Sequence, residues 1–285
     1  MSLPQPVRRL RRRAFYVLVR VLVGMLRRLP IAVARWILHG LGWMAWAIRR
    51  SERRTAQRQL GLALPELTPA EQSRLARASL LCLGDNLLDM IRAEARVEFS
   101  RVDRARLTAL LDEGPVLVLM AHAGAWELVG PVLVQCTGVF GALTAEPHNA
   151  RLGAWMRRGR EARGIRCFDR DREVGAAARW LSRGGCLAVL ADHRPRGAWT
   201  EVPWFGRAAP TTTGPARLAR VARATILPLG ICREGGAHRI GFGTPFVPSG
   251  EPGADAARCN AALEELILRS PKEWTWFHDR YDWPS

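Results

Sequence analysis

Between residues 119 and 127 the chain reads Leu-Met-Ala-His-Ala-Gly-Ala-Trp-Glu, which sets the imidazole of His122 five positions before the carboxylate of Glu127. A carboxylate on one imidazole nitrogen fixes the tautomer and leaves the other nitrogen free to take a proton. That pair suits removal of a proton from a hydroxyl as it attacks an activated acyl group, with no enzyme nucleophile. The local pattern fits the task. Val116–Met120 reads as a strand, His122 leaves its carboxyl end, and Gly124 permits a tight reversal. Glu127 then falls in the first turn of the next helix, where it can equally be a helix-capping acid beside an incidental histidine.

Other chemistries are excluded by residue type. Lys272 is the only lysine, so no GxxxxGK phosphate loop exists, and a Schiff-base enzyme would have to use that one residue. There is no GxSxG elbow around Ser182 and no HExxH. Gly241-Phe242-Gly243 lacks the third glycine of a dinucleotide fingerprint. The six cysteines, at 82, 136, 167, 186, 232 and 259, form no CxxC pair and read as free thiols of a reducing compartment. Neither a metal nor a bound cofactor is expected.

The elements that must position these residues alternate. Residues 51–112 read as helical, with a turn at 64–69 and Thr68 as a helix cap. Short apolar strands at 116–120, 139–144, 165–168 and 187–191 then alternate with helices at 125–135, 150–163 and 174–183. A long loop follows residue 191, then a helix at 214–223, strands at 225–232 and 239–242, and a helix at 254–269. This pattern predicts an α/β fold with a mostly parallel central sheet flanked by helices. Ligands collect at the carboxyl ends of such strands, and Glu146, Arg160, Arg163 and Asp192 are expected there. Arg160 and Glu146 read equally well as a structural ion pair, Asp192 as a loop cap, and Arg217, on a helix after a Thr cluster, as structural.

The charge is uneven. The net charge of the 285 residues is +17, but residues 1–58 hold 14 Arg against one acid, Glu52. The remaining 227 residues hold 29 basic and 25 acidic side chains. This N-terminal region is also apolar. Arg13, Arg20 and Arg27 share one helical stripe, with Phe15, Leu18, Leu22 and Met25 opposite; a second segment, 31–48, carries Trp36, Trp43 and Trp46. Arg20 and Arg35 interrupt both, so neither is a clean spanning helix. The pattern predicts a helical pair in the bilayer surface, with Trp at headgroup level and Arg snorkelling. Residues 1–58 are thus expected to associate with membrane and 59–285 to form the α/β domain. Nucleic-acid binding, the other reading of so basic a chain, calls for Arg on a polar face and is not favoured.

Beyond His122–Glu127, further blocks occur in order: Ala145-Glu146-Pro147-His148-Asn149, then Arg160–Ile165, Ala191-Asp192, Val202-Pro203-Trp204-Phe205-Gly206, Thr211–Ala219 and Pro271–Arg280. Together they resemble the lysophospholipid acyltransferase superfamily, in the branch of lipid A acyltransferases of the lauroyl and myristoyl type and phosphatidylinositol mannoside acyltransferases. The resemblance spans nearly the whole chain. It implies transfer of a fatty acyl group from an acyl-carrier protein or coenzyme A thioester to a hydroxyl of a membrane glycolipid such as a lipid A precursor. It also implies His122 as general base, oriented by Glu127, with Glu146, Asn149, Arg160, Arg163, Asp192 and Arg217 as substrate-binding candidates. Arg160 or backbone N–H groups would meet the oxyanion. The N-terminal Arg excess implies the cytoplasmic face of the cytoplasmic membrane. Three positions depart from the branch: Ala125 for the usual Asn, His193 where Gln or Arg is commoner, and Trp204 for the first Phe. Ala125 keeps a catalytically degenerate membrane scaffold open as the alternative. The terminal Trp274, Trp276 and His278 read as core packing.

Overall fold

The computed structural model describes residues 5–145, 147 and 149–281. Helices α1 (Gln5–Arg28) and α2 (Ile31–Ile48) are separated at Pro30, and α3 (Arg50–Ala63) follows. Thr68 then caps α4 (Pro69–Arg92) in a reciprocal capping box with Glu71. The α/β body comprises β1 (Val97–Phe99), α5 (Arg101–Glu113), β2 (Val116–Met120), α6 (Val129–Thr137), β3 (Phe140–Thr144), α7 (Ala150–Glu161), β4 (Ile165–Asp169), α8 (Val174–Leu181) and β5 (Cys186–Leu190). It continues with β6 (Trp199–Trp204), β7 (Arg207–Thr212), α9 (Gly214–Ala222), β8 (Thr225–Glu234), β9 (Ala237–Phe242) and α10 (Pro252–Leu268).

Seven strands form one sheet in the order β1-β9-β8-β2-β5-β3-β4, parallel except where β9 runs against β8. Strand alternation sorts the apolar side chains to two faces. Leu117, Leu119, Leu187, Val189 and Ile226 join the core that includes Leu263, Trp274 and Trp276. Val116, Val118, Met120, Ala188 and Leu227 join the other, with Leu107, Leu133 and Phe140. Both faces are covered, as the near-continuous apolar strands require.

The segment after β5, expected as a long loop, instead folds into the antiparallel β6–β7 hairpin. Phe205 and Gly206, both at positive φ (48° and 72°), form its two-residue turn. Pro203 and Pro210 hide the strands from a propensity reading, and a two-stranded sheet with free edges tolerates them. The short β1 was also not anticipated.

Helices α1 and α2 lie against α4. Leu26, Ala34 and Leu88 form a small buried cluster, and Arg92 donates to the carbonyls of Leu26 (3.2 Å) and Leu29 (2.7 Å). Arg35, one of the charges interrupting the apolar runs, pairs with Asp85 of α4 at 3.0 Å, as does His39. With that charge met, α2 is long and apolar enough, by length and composition, to cross a membrane (18 residues, mean hydropathy 1.3). The outward faces stay apolar: Leu10, Phe15, Leu18, Val21 and Met25 of α1 and Ile31, Trp43, Met44 and Ile48 of α2 are exposed, and Trp36 is 76% exposed.

Candidate active site

Strands β2 and β5 are parallel neighbours in a register that pairs Met120 with Leu190. Two residues beyond each lie His122 and Asp192, so equal offsets bring both side chains to one spot at the carboxyl edge. The Ala191 N–H donates to the Met120 carbonyl at 3.1 Å and carries the pairing one step further. Asp192 is fully buried. Its Oδ1 accepts from His122 Nδ1 at 2.8 Å; its Oδ2 accepts from the His122 backbone N–H at 3.0 Å and from the Trp274 indole at 2.8 Å. Burial alone pushes this carboxyl up. The His122 charge and hydrogen bond, with His193 and the Trp274 N–H, outweigh it and hold Asp192 well below the ordinary carboxylate range. A carboxylate on Nδ1 places the proton there and leaves Nε2 as the free acceptor.

The spacing argument put Glu127 in that role; the structure puts Asp192 there. Glu127 follows the turn and binds Arg160 instead, with Arg160 Nε at 3.1 Å from Oε2 and a second, shorter contact from the other guanidinium nitrogen to Oε1. The bidentate fork meets the carboxylate in a partly buried pocket. Burial opposes the Arg160 charge, but the Glu127 hydrogen bond and charge more than restore it.

The other candidates separate. Asn149 caps α7, accepting from the Leu152 N–H at 3.4 Å, and its amide donates to the Arg12 carbonyl at 2.7 Å, tying α1 to the body. Arg163 lies in the turn entering β4, at the amino end of that strand and so at the opposite edge from His122. This corrects its expected position: α7 carries the chain back across the sheet. Arg217 is exposed on α9. Glu146 lies outside the described residues. Ala125 is buried in the core under the His122 loop, where it packs as a small apolar side chain.

The segment read as core packing takes part in the site. The Glu273 carbonyl accepts from the Gly124 N–H at 3.0 Å, and Ala123 bridges Trp274. Glu273 is itself buried, its carboxylate taking the Arg233 N–H at 2.7 Å and the Asn86 amide at 3.2 Å. Gly124 has φ +64°, and a Cβ there would lie 2.1 Å from the Ile231 carbonyl oxygen, so only glycine fits. Trp126 meets the His122 ring edge-on, with centroids 5.3 Å apart. On the other side His122 stacks on His193 at 3.9 Å, and His193 on His278 at 4.1 Å. One signal for Asp192 was present in the sequence: Val-Leu-Met-Ala-His and Ala-Val-Leu-Ala-Asp end the two strands alike.

Donor atoms of His122, Asp192 and His193 lie within 4.8 Å of one another. An imidazole binds a metal through a lone pair in its ring plane, and these two rings lie within 9° of parallel. Planes so nearly parallel share no point within bonding reach of both rings, so the arrangement suits stacking rather than chelation. Thiol nucleophiles are also ruled out near neutral pH for the core cysteines, since burial pushes Cys82, Cys186 and Cys259 up to about 12.

A mostly parallel α/β sheet thus carries a His–carboxylate pair at its carboxyl edge, with Nε2 free, alongside an Arg-rich apolar helical pair. Residues 5–282 match the bacterial lipid A biosynthesis acyltransferase family, and the chain belongs to that family. It is 26% identical over 271 residues to the lipid A biosynthesis palmitoleoyltransferase of Escherichia coli (strain K12), covering 89% of this chain and 86% of that protein. It is 24% identical over 271 residues to the lipid A biosynthesis lauroyltransferase of the same strain, covering 89% and 87%. The lipid A biosynthesis acyltransferase of Haemophilus influenzae (strain ATCC 51907 / DSM 11121 / KW20 / Rd) is 23% identical over 270 residues, covering 89% and 85%. The protein is an enzyme of acyl transfer in lipid A biosynthesis, acting between an acyl donor and a lipid acceptor.

Proposed function

We propose that the chain transfers a fatty acyl group from a thioester, on acyl-carrier protein or coenzyme A, to a hydroxyl of a lipid A precursor, with His122 as general base. The observation that carries this reading is the Asp192–His122 Nδ1 contact at 2.8 Å, which leaves Nε2 bare on a ring with 28% of its side chain exposed. Nε2 takes the acceptor's hydroxyl proton as the oxygen attacks the thioester carbonyl. The oxyanion collapses, the C–S bond breaks, and the imidazolium returns the proton to the departing thiolate. Buried Asp192 keeps its charge throughout and stabilises the imidazolium. Glu127 holds Arg160 as a fixed cation. No resident cofactor is needed for these steps.

The exposed apolar residues of α1 and α2 support attachment to a membrane surface, and the Arg side chains set among them favour its cytoplasmic face. The same apolar face weighs against nucleic acid as a partner. The test is incubation of detergent-purified protein, and of His122→Ala, with radiolabelled acyl-carrier protein or acyl-coenzyme A and a host lipid extract. Label should enter one lipid species with the unaltered protein alone. Equal labelling by His122→Ala would remove the general-base reading, and labelling by neither would favour a degenerate scaffold.

A further inference from the structure

We propose that His193 is a positioning residue for the base: its ring, stacked face to face on His122, holds the plane of that imidazole and accommodates the charge it gains during transfer. This rests on the reading of His122 as general base.

The Nδ1–Asp192 hydrogen bond fixes one direction of the His122 ring but leaves rotation about that bond. His193 closes it, with centroids 3.9 Å apart and planes within 9°. His193 is backed in turn by His278, at 4.1 Å and 19°. His278 is itself anchored, since its Nε2 accepts the Arg194 N–H at 3.0 Å. That contact assigns the His278 proton to Nδ1 and makes the ring neutral. His193 Nε2 lies 3.4 Å from Thr275 Oγ1 and 3.7 Å from Asp192 Oδ2. Trp126 also meets His122, edge-on at 5.3 Å, and among the described residues His122 Nε2 has no hydrogen-bond partner.

The charged groups around the stack favour one proton for three rings. Burial pushes His193 toward its neutral form; Asp192 pulls the other way, and His122, His278 and Arg280 restore the downward direction. His278 is pushed down by burial as well, against Asp192 and with Arg194, His122 and Arg280. The π face of a neutral imidazole therefore meets His122 when that ring becomes cationic, a favourable contact. An arginine at 193, one of the residues commoner in the branch this chain resembles, would put a permanent charge against the same face.

The test compares His193→Phe, which keeps a flat ring, with His193→Ala and His193→Arg, all as full chains in the transfer assay across pH 5.5–9. His193→Phe is expected to keep kcat within about threefold, while His193→Ala loses about 10- to 100-fold in kcat with KM little changed. His193→Arg should move the acid limb of the profile to lower pH by about one unit, because a fixed cation disfavours the protonated base. Ring-current shifts of the His122 Hε1 proton, read by NMR, should persist in His193→Phe and collapse in His193→Ala. Full kcat and an unmoved profile in His193→Ala, or a Phe variant no better than Ala, would overturn the proposal. His122→Ala, run alongside, separates the two ideas: retained transfer there sinks the base itself, whatever residue 193 does.

Discussion

Asp192→Asn probes the site most directly, because the two shapes match and only charge and proton placement change. Three N–H groups converge on the two Asp192 oxygens, one on Oδ1 and two on Oδ2. An amide offers one acceptor oxygen. If its NH2 takes the Oδ2 place it confronts both the His122 backbone N–H and the Trp274 indole, leaving two buried donors unpaired. The cheaper orientation puts the oxygen on those two donors and the NH2 against His122 Nδ1. That nitrogen must then become the acceptor, so the proton moves to Nε2 and the base is filled. Replacing the charged acceptor by a neutral one should cost about 1–3 kcal/mol of stability. The wrong tautomer should lower kcat by about 10³- to 10⁴-fold, or roughly 4–5.5 kcal/mol of transition-state stabilisation. The assay is acyl transfer to lipid extract in detergent, with thermal unfolding as the control for a folded variant. Glu127→Gln serves as the reference: it removes the Arg160 ion pair but no contact to His122, and should cost about tenfold or less. An Asp192→Asn enzyme with more than about a tenth of normal activity, beside a dead Glu127→Gln, would refute the reasoning and return the orienting role to Glu127.

Three further outcomes are expected. Trp274→Phe keeps the buried ring but removes one of the two donors on Asp192 Oδ2; transfer should fall about 10- to 100-fold, with the fold intact by near-ultraviolet circular dichroism. Gly124→Ala meets both a positive φ and the Ile231 carbonyl, and should lose at least about 3 kcal/mol by urea titration or fail to accumulate as folded protein. Stability should fall as pH drops below about 6.5, the ordinary histidine value. The folded pKa values of His193 and His278 are depressed, so the unfolded chain binds the extra protons, and stability present at neutral pH is lost on acidification. The slope is at most about 1.4 kcal/mol per pH unit per ring, less where a ring edge reaches water; urea titrations at pH 7.5 and 5.5 should differ for the unaltered protein and converge in the His193→Phe, His278→Phe double variant.

The apolar runs make the sheet legible in the sequence itself. Val116–Met120 coincides with β2, and the predicted strands at residues 139–144, 165–168 and 187–191 all form; the central β2 and β5 show most plainly why, since buried parallel strands leave unbroken apolar runs. Helix limits were recovered where capping chemistry marks them, as at Thr68. The β6–β7 hairpin escaped because its prolines argue against strands. In the site, His122 could be singled out by placement at a strand end. Its partner could not, since local spacing ranks Glu127 first while the adjacency of β2 and β5, strands 70 residues apart in sequence, is a property of the folded sheet order. The Trp274 contact was hidden for the same reason: a buried indole looks like packing until the carboxylate beside it is known.

Because the separation of His122 and Asp192 is set by strand register, the two parts of the site face different tolerances to insertion and deletion. One residue added within β2 or β5 would turn His122 or Asp192 to the other face of the sheet and abolish the pair. Residues added between Asp192 and β6 leave that register untouched. The segments beyond the two strand ends can therefore change in length without breaking the His122–Asp192 pair, whereas the strands that carry it cannot.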